Sequence, residues 1–170
     1  MKKAILFLLV IAGQVQSATD TYLMGDTDFL KIKDVNRQAE SWGTCAATYD
    51  ITAMFYEDKP NQAKQFKDFA NGAELAVIMA HVADSLNRDM SAESFSAMWA
   101  YSKTLGDSIS ETRMTAIAAD GESLGGALSE EFLNKLGNTL KVCVNNIKAQ
   151  QAYIDSWREL AKSGLLVTEE

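Results

Sequence analysis

The segment SEEFLNKLGNTLKVCVNNIKAQQAYIDSWRELAKSG, residues 129–164, has the most regular apolar pattern in the chain and decides the predicted fold. Its apolar side chains follow a heptad repeat, which predicts one amphipathic helix with a seam that packs against neighbouring helices. Ser129 is a suitable N-cap for this helix, and Gly164 is a suitable residue to end it. Two series of positions, offset by three residues, form the predicted seam: Leu133, Leu140, Ile147, Ile154 and Ala161, and Leu136, Cys143, Gln150 and Trp157.

Three segments upstream carry apolar residues at the same helical spacing. The first two predict helices over residues 35–57 and 61–87, separated at a proline. A third helix is predicted to start after Ser91, a good N-cap, and to end at the glycine-rich loop 120–126. Gly106 is expected to kink or split this third helix, because glycine weakens a helix interior.

Four helices joined by short links predict an all-α fold, with an antiparallel four-helix bundle as the architecture. The bundle is expected to occupy residues 34–170 as a single domain, preceded by an N-terminal arm over residues 18–33.

The two cysteines, Cys45 and Cys143, are predicted to form a disulfide, because an even count is typical of exported chains. They lie on the apolar faces of the first and last predicted helices. A disulfide requires Cα atoms closer than average helix packing gives, and the small residues Gly43, Ala46 and Ala47 permit such an approach. The first and last helices are therefore expected to be neighbours.

Residues 1–17 match a bacterial-type signal peptide. Lys2 and Lys3 precede an apolar run over residues 4–12, and Ser17 ends a plausible cleavage site. The run is about half of the roughly 20 residues that span a bilayer, so an N-terminal membrane anchor is the less favoured alternative. The expected location of the mature chain is the periplasm or the outside, without stable membrane insertion.

The chain is acidic, with a net charge of −7, and removal of Lys2 and Lys3 with the signal peptide leaves −9. An acidic chain repels phosphate backbones and anionic lipids, so nucleic acid is not an expected partner. One interpretation of this acidity is that it keeps the protein soluble. A more specific interpretation is an acidic face that binds a basic protein.

His81 is the single histidine, and without a second one few catalytic or metal sites can be assembled. Glu74, His81 and Asp84 fall in one angular sector of the second predicted helix, which makes them weak candidates for a metal site. The alternative is a histidine hydrogen-bonded to Asp84 within its own helix. Neither a metal nor any other cofactor is the primary expectation.

The stretch Gly106–Ser110, GDSIS, resembles the nucleophile block of the GDSL-type lipases and esterases. That family pairs the serine with a downstream histidine. No histidine follows Ser108 in this chain, so the catalytic partners that the resemblance implies cannot be placed.

Trp42, Trp99 and Trp157 lie on the apolar faces of three different predicted helices. A shared core layer is one interpretation, and an aromatic binding pocket or interface is the other, since tryptophan is enriched at such sites. These three residues are therefore weak candidates for a binding site.

Together these patterns predict an exported, non-enzymatic protein with a binding or interaction role. An immunity or inhibitor protein that binds another exported protein is one form of this prediction. A bundle that binds a small molecule or metal is the alternative. No catalytic residue is assigned, and the oligomeric state is left open.

Overall fold

In the computed structural model, residues 21–85 and 91–165 are described, and within these ranges the chain is helical without strands. The predicted signal peptide, the predicted end of the second helix at residue 87 and the last five residues of the chain lie outside the described residues. A short 3₁₀ turn precedes five α-helices: the turn Phe29–Lys31, α1 Val35–Phe55, α2 Pro60–Ser85, α3 Ala92–Ser123, α4 Glu130–Asn145 and α5 Ile147–Lys162.

Side-chain caps fix the starts of three helices. The hydroxyl oxygens of Ser91 and Ser129 accept backbone N–H groups in the first turns of α3 and α4, which confirms both predicted caps. Asp34 caps α1 in the same way. Gly106 neither splits nor ends α3, so the predicted interruption is wrong. Its missing Cβ lets α3 approach α2, since a Cβ there would lie 2.9 Å from Ile78 Cγ1.

The predicted C-terminal helix is two helices, α4 and α5, separated at Asn146. The fold is therefore all-α as expected, but the count of four helices is wrong. The disulfide joins the first helix to the fourth of five, not to the last. The break arises because the Asn146 side chain bonds to the N-terminal arm, as described below, and this residue departs from helical geometry with φ −96° and ψ 8°.

The members of the two predicted seam series differ in burial. Leu136, Cys143 and Gln150 are buried, whereas Leu133 of the other series is 41% exposed. The second buried series lies one residue earlier along the helix, at Phe132, Thr139 and Asn146. The prediction missed this register because the true series contains the polar residues Thr139 and Asn146, which a search for apolar positions passes over.

Helix α1 is the central element of the molecule, with fourteen of its 21 residues buried. It packs against α2, α3, α4 and the 3₁₀ turn. Its small side chains allow this crowding: a Cβ added to Gly43 would lie 2.6 Å from Ile109 Cγ2 of α3. A helix buried on every side needs small residues all round, which explains why α1 lacks a strongly one-sided apolar pattern.

The disulfide lies in the main hydrophobic cluster, between α1 and α4, with a Cα–Cα distance of 5.5 Å. Both cysteines are fully buried. Helices α1 and α2 run antiparallel around this cluster, because a short link joins them and Asp50 and Lys67 form an ion pair between them at 2.6 Å.

Candidate functional site

The N-terminal arm is an ordered part of the molecule, and Asn146 is its main anchor. The Asn146 Oδ1 atom accepts the Phe29 N–H at 2.9 Å, and its Nδ2 donates to the Thr27 carbonyl at 2.8 Å. The Gln38 amide donates to the Phe29 carbonyl at 2.6 Å and in turn accepts the Tyr153 hydroxyl at 3.1 Å. The side chain of Asn146 thus provides a hydrogen-bond partner for one backbone N–H and one backbone carbonyl of the arm.

The start of the arm is bonded to α3 and α4. The Tyr22 hydroxyl donates to Asp120 Oδ2 at 2.8 Å, and Lys135 approaches the same carboxylate at 3.3 Å. The Leu23 N–H donates to Thr139 Oγ1 at 3.1 Å. These contacts fix the arm to the helices along most of its described length.

Apolar packing adds to the polar anchors. Phe29 is fully buried and its ring meets the Trp42 ring edge-on, with centroids 4.7 Å apart. Edge-to-face aromatic pairs contribute about 0.5–1.5 kcal/mol beyond the burial of area. The arm is therefore part of the hydrophobic core.

A cleft of about 890 Å³ is lined by the arm, the first half of α1, Arg113 of α3 and Val142 of α4. Its lining includes Ser41 and Thr44, whose hydroxyls donate to carbonyls of their own helix at 2.9 Å. Their oxygen lone pairs therefore remain able to accept hydrogen bonds. A smaller hollow of about 390 Å³ lies on the α4–α5 side of the arm.

The cleft is lined by more cations than anions, although the whole chain is acidic. Glu40 is paired with Arg113 at 2.8 Å, and the side chain of Arg113 is 10% exposed. Asp34 caps α1, whereas Lys33 and Arg37 are exposed at the mouth. The charged residues of the lining are Lys31, Lys33, Arg37 and Arg113, with Asp34 and Glu40. The lining therefore carries two more cations than anions, and Lys31 among them also pairs with Asp28 outside the lining at 3.2 Å.

The three tryptophans do not form one group. Trp42 is fully buried in the main cluster beside Phe29. Trp99 and Trp157 are half-buried and pack on a separate cluster around Met79, between α2, α3 and α5. None of the three lines the cleft.

Two of the weak metal candidates, Glu74 and His81, have different charged neighbours. Burial raises the pKa of Glu74, and the charges that act on it are Asp50, Asp107 and Lys67. Burial lowers the pKa of His81, and the Asp84 carboxylate acts in the opposite direction. Among the described residues, no group of three histidine, cysteine or acidic side chains has the geometry to hold a metal ion.

The GDSIS stretch lies inside the continuous helix α3, where Gly106 and Ser110 are buried against neighbouring helices. The GDSL-type resemblance implies a strand before the serine, and α3 occupies that position instead. Within the described helices, none is both long enough and apolar enough to cross a bilayer.

The cleft residues were not singled out from the sequence. The signal that could have pointed to them is the group of apolar and aromatic residues between Tyr22 and Ile32, which predicts packing of the arm but not the surface against which it packs. Comparisons with family models, with curated proteins and with solved structures gave no match for this chain.

Proposed function

We propose that the protein is an exported, non-enzymatic binding protein whose ligand site is the cleft beneath the N-terminal arm. The observation that carries this proposal is the excess of cations lining a cleft in an otherwise acidic chain. Such a site favours a ligand with an anionic group, because Lys33 and Arg37 at the mouth attract negative charge.

The size of the cleft favours a small molecule over a folded partner. Its volume of about 890 Å³ lies within the range of small-molecule sites, roughly 300–1,000 Å³. The ligand we infer carries a carboxylate or phosphate at the mouth and donates hydrogen bonds to Ser41 and Thr44 deeper in.

Binding without catalysis is supported by the chemistry of the lining. The cleft has neither a histidine nor a free thiol among its lining residues, and both cysteines are in the disulfide. Arg113, the buried arginine of the lining, is paired with Glu40. It is suited to holding a negative charge in place rather than to proton transfer. Export is supported by the disulfide, which is typical of oxidising compartments.

The test is a thermal-shift and calorimetric titration of the mature, disulfide-bonded protein with phosphate, sulfate and citrate against sodium chloride of equal ionic strength. At least one anion is expected to raise the melting temperature above the chloride value. The double variant Lys33→Gln/Arg37→Gln is expected to weaken binding by about tenfold or more, since each charge-assisted hydrogen bond contributes about 1.5–3 kcal/mol.

The matched control is Lys64→Gln, which removes an exposed cation on α2, away from the cleft. This variant should bind as the parent does. Equal melting temperatures in all salts, or equal weakening by the control and the cleft variants, would contradict the proposal.

A second candidate is an interaction with another exported protein, of the immunity or inhibitor type. The acidic net charge of −7 favours a basic partner for this role. Crosslinking and affinity capture of the tagged mature protein from the exported fraction of its own cell tests it. One dominant stoichiometric partner would support this candidate, and recovery of the protein alone would count against it.

A further inference from the structure

The hydrogen bonds that hold the arm on the helices each use a side chain. Within the described residues, no backbone group of the arm bonds to the backbone of a helix. Thr139 Oγ1 accepts the Leu23 N–H at 3.1 Å, and Asn146 Oδ1 accepts the Phe29 N–H at 2.9 Å. Because bonds of this kind break without opening a helical turn, the arm can leave its place while the helices stay formed.

Burial is concentrated at two points of the arm. Tyr22 is 8% exposed and Phe29 is fully buried, whereas residues 24–28 between them are exposed. Leu23 and Ile32 are partly buried. Segments with few buried apolar contacts open at the low end of the range of local stabilities within a protein. Release of the arm should therefore cost less than unfolding of α1, which has fourteen buried residues.

The junction between the arm and α1 provides a hinge. Asp34 caps α1 with its own side chain, which accepts the Arg37 N–H at 2.9 Å. The backbone is extended at Ile32 and at Asp34, so the chain leaves the helix at this point. No arm residue takes part in the cap. Helix α1 can therefore begin at Val35 whether the arm is docked or released.

We propose that the arm is a strap that opens and closes as one unit over the cleft while the helices stay intact. Its role as a gate rests on the proposed function. More than half of the residues that line the cleft belong to the arm, so release of the arm removes one wall of the site. A ligand that fills the cleft then binds the closed form alone, and by linkage the bound ligand holds the arm closed.

The first experiment needs no ligand. It is hydrogen exchange of the backbone N–H groups of the mature, disulfide-bonded protein, followed by NMR. The N–H groups of Leu23 and Phe29 are expected to show similar protection factors, because one opening exposes both. These factors should be at least about tenfold below that of Cys45 in the middle of α1, which exchanges only when the core opens.

Asn146→Ala tests whether the opening is cooperative. The variant removes the acceptor of the Phe29 N–H and leaves Thr139, the acceptor of the Leu23 N–H, in place. In a strap, the Leu23 N–H should nevertheless exchange about tenfold faster or more, since a lost buried hydrogen bond destabilises the whole closed form. Asn145→Ala, at the exposed neighbouring position, is the matched control and should leave this rate unchanged.

Thr139→Val is the converse variant, and it decides the question if Asn146→Ala does not fold. It removes the hydroxyl that accepts the Leu23 N–H and keeps a side chain of similar shape. The Phe29 N–H, whose own acceptor Asn146 is untouched, should exchange about tenfold faster or more. Independent contacts would instead let each variant affect its own N–H partner alone.

The second experiment adds the anion that the titration identifies among phosphate, sulfate and citrate, at ten times its dissociation constant. Exchange of the Leu23 and Phe29 N–H groups should slow by about elevenfold, the factor expected for a ligand that binds only the closed form. Sodium chloride of equal ionic strength is the control. Unchanged exchange in the presence of the bound anion would overturn the gate.

Failure of the strap and failure of the proposed function give different results. If none of the three anions binds, the proposed function is contradicted, and the ligand-free exchange rates still decide whether the arm opens as a unit. The strap is overturned, with or without anion binding, if Leu23 and Phe29 exchange only as slowly as Cys45. It is also overturned if Asn146→Ala and Thr139→Val each change a single N–H group.

Discussion

At the scale of single residues, Asn146 has the widest influence on this structure. It ends α4, starts α5 and holds the arm through bonds to Phe29 and Thr27. Its side-chain amide also donates to the Val142 carbonyl at 3.0 Å, a carbonyl that the Asn146 backbone N–H reaches at 3.3 Å. In the sequence, an asparagine in the middle of a helical pattern is simply a weak helix former. Its role as an anchor follows only from the position of the arm.

We expect Asn146→Ala to destabilise the protein by about 2–4 kcal/mol. The change leaves the buried Phe29 N–H and the part-buried Thr27 carbonyl without their partner. The loss of a partner for a buried polar group costs about 1–3 kcal/mol. Urea denaturation gives the free energy of unfolding, and limited proteolysis reports release of the arm.

The neighbouring Asn145→Ala is the matched control, because Asn145 is exposed. It should stay within about 0.5 kcal/mol of the parent. If both variants behaved alike, the anchoring role of Asn146 would be refuted.

The pKa of Glu74 leads to a prediction about how the stability of the protein depends on pH. Burial, with the nearby Asp50 and Asp107 carboxylates, raises the pKa of Glu74 above its ordinary value of 4.5. The folded state therefore favours the protonated acid, and stability falls as pH rises from about 4.5 through the raised pKa. Glu74→Gln removes this penalty, so it should be more stable than the parent at pH 7, and the difference should vanish below pH 4.5.

Denaturation midpoints of the parent and Glu74→Gln at several pH values measure this difference. Asp68→Asn, an exposed acid on the same helix, is the control. A Glu74→Gln protein that is less stable than the parent at pH 7 would be evidence against a buried, destabilising carboxylate.

At the scale of elements, the close crossing of α1 and α3 depends on Gly43. A methyl group there would approach Ile109 Cγ2 to 2.6 Å, so the helices or the isoleucine must move. We expect Gly43→Ala to cost about 1–3 kcal/mol, the usual range for overpacking. The same change at Gly137, which has open space around it, should stabilise α4 by up to about 1 kcal/mol through helix propensity.

A double-mutant cycle tests whether the contact with Ile109 is the cause of the destabilisation expected for Gly43→Ala. In an Ile109→Ala background the isoleucine methyl groups are gone, so Gly43→Ala should cost little or nothing. Thermal or urea denaturation of the four proteins gives the coupling. An unchanged cost in both backgrounds would mean that Gly43 is needed for another reason.

The elements themselves were largely predictable from the sequence, because three caps and a regular apolar spacing are local signals. Ser91 and Ser129 were found by this logic. The break at Asn146 and the register of the buried series on α4 were not, because both depend on polar residues that become buried only when the arm is in place. Local periodicity contains no information about such distant partners.

At the scale of the whole molecule, the pairing of Cys45 with Cys143 was predictable, since only two cysteines exist. The central position of α1 was not, because its burial on all sides comes from its neighbours and from the arm. The cleft shares this origin. Its charged residues come from the arm, α1 and α3, and nothing in the sequence pattern brings Lys33 and Arg113 to one place.

The disulfide should contribute strongly to global stability, because it closes a long loop, with a sequence separation of 98. Cys45→Ala/Cys143→Ala is expected to lose about 2–4 kcal/mol, below the chain-entropy ceiling of about 4.7 kcal/mol for a loop of this length. Urea unfolding of the parent with and without reductant, beside the double variant, measures it. Intact mass under non-reducing conditions should also be about 2 Da below the dithiol value. Reductant that leaves the parent unchanged would contradict the expectation.

The arm has a consequence for the order in which the chain acquires its structure. A polypeptide emerges with its N-terminus first, whether from a ribosome or from a translocation channel. The arm's anchors, Thr139 and Asn146, lie 116 and 117 residues beyond the arm residues Leu23 and Phe29, so they appear only when most of the chain has followed. Until then the Phe29 N–H lacks its acceptor on Asn146 and Cys45 lacks its partner thiol. The arm therefore completes its contacts only after α4 has formed.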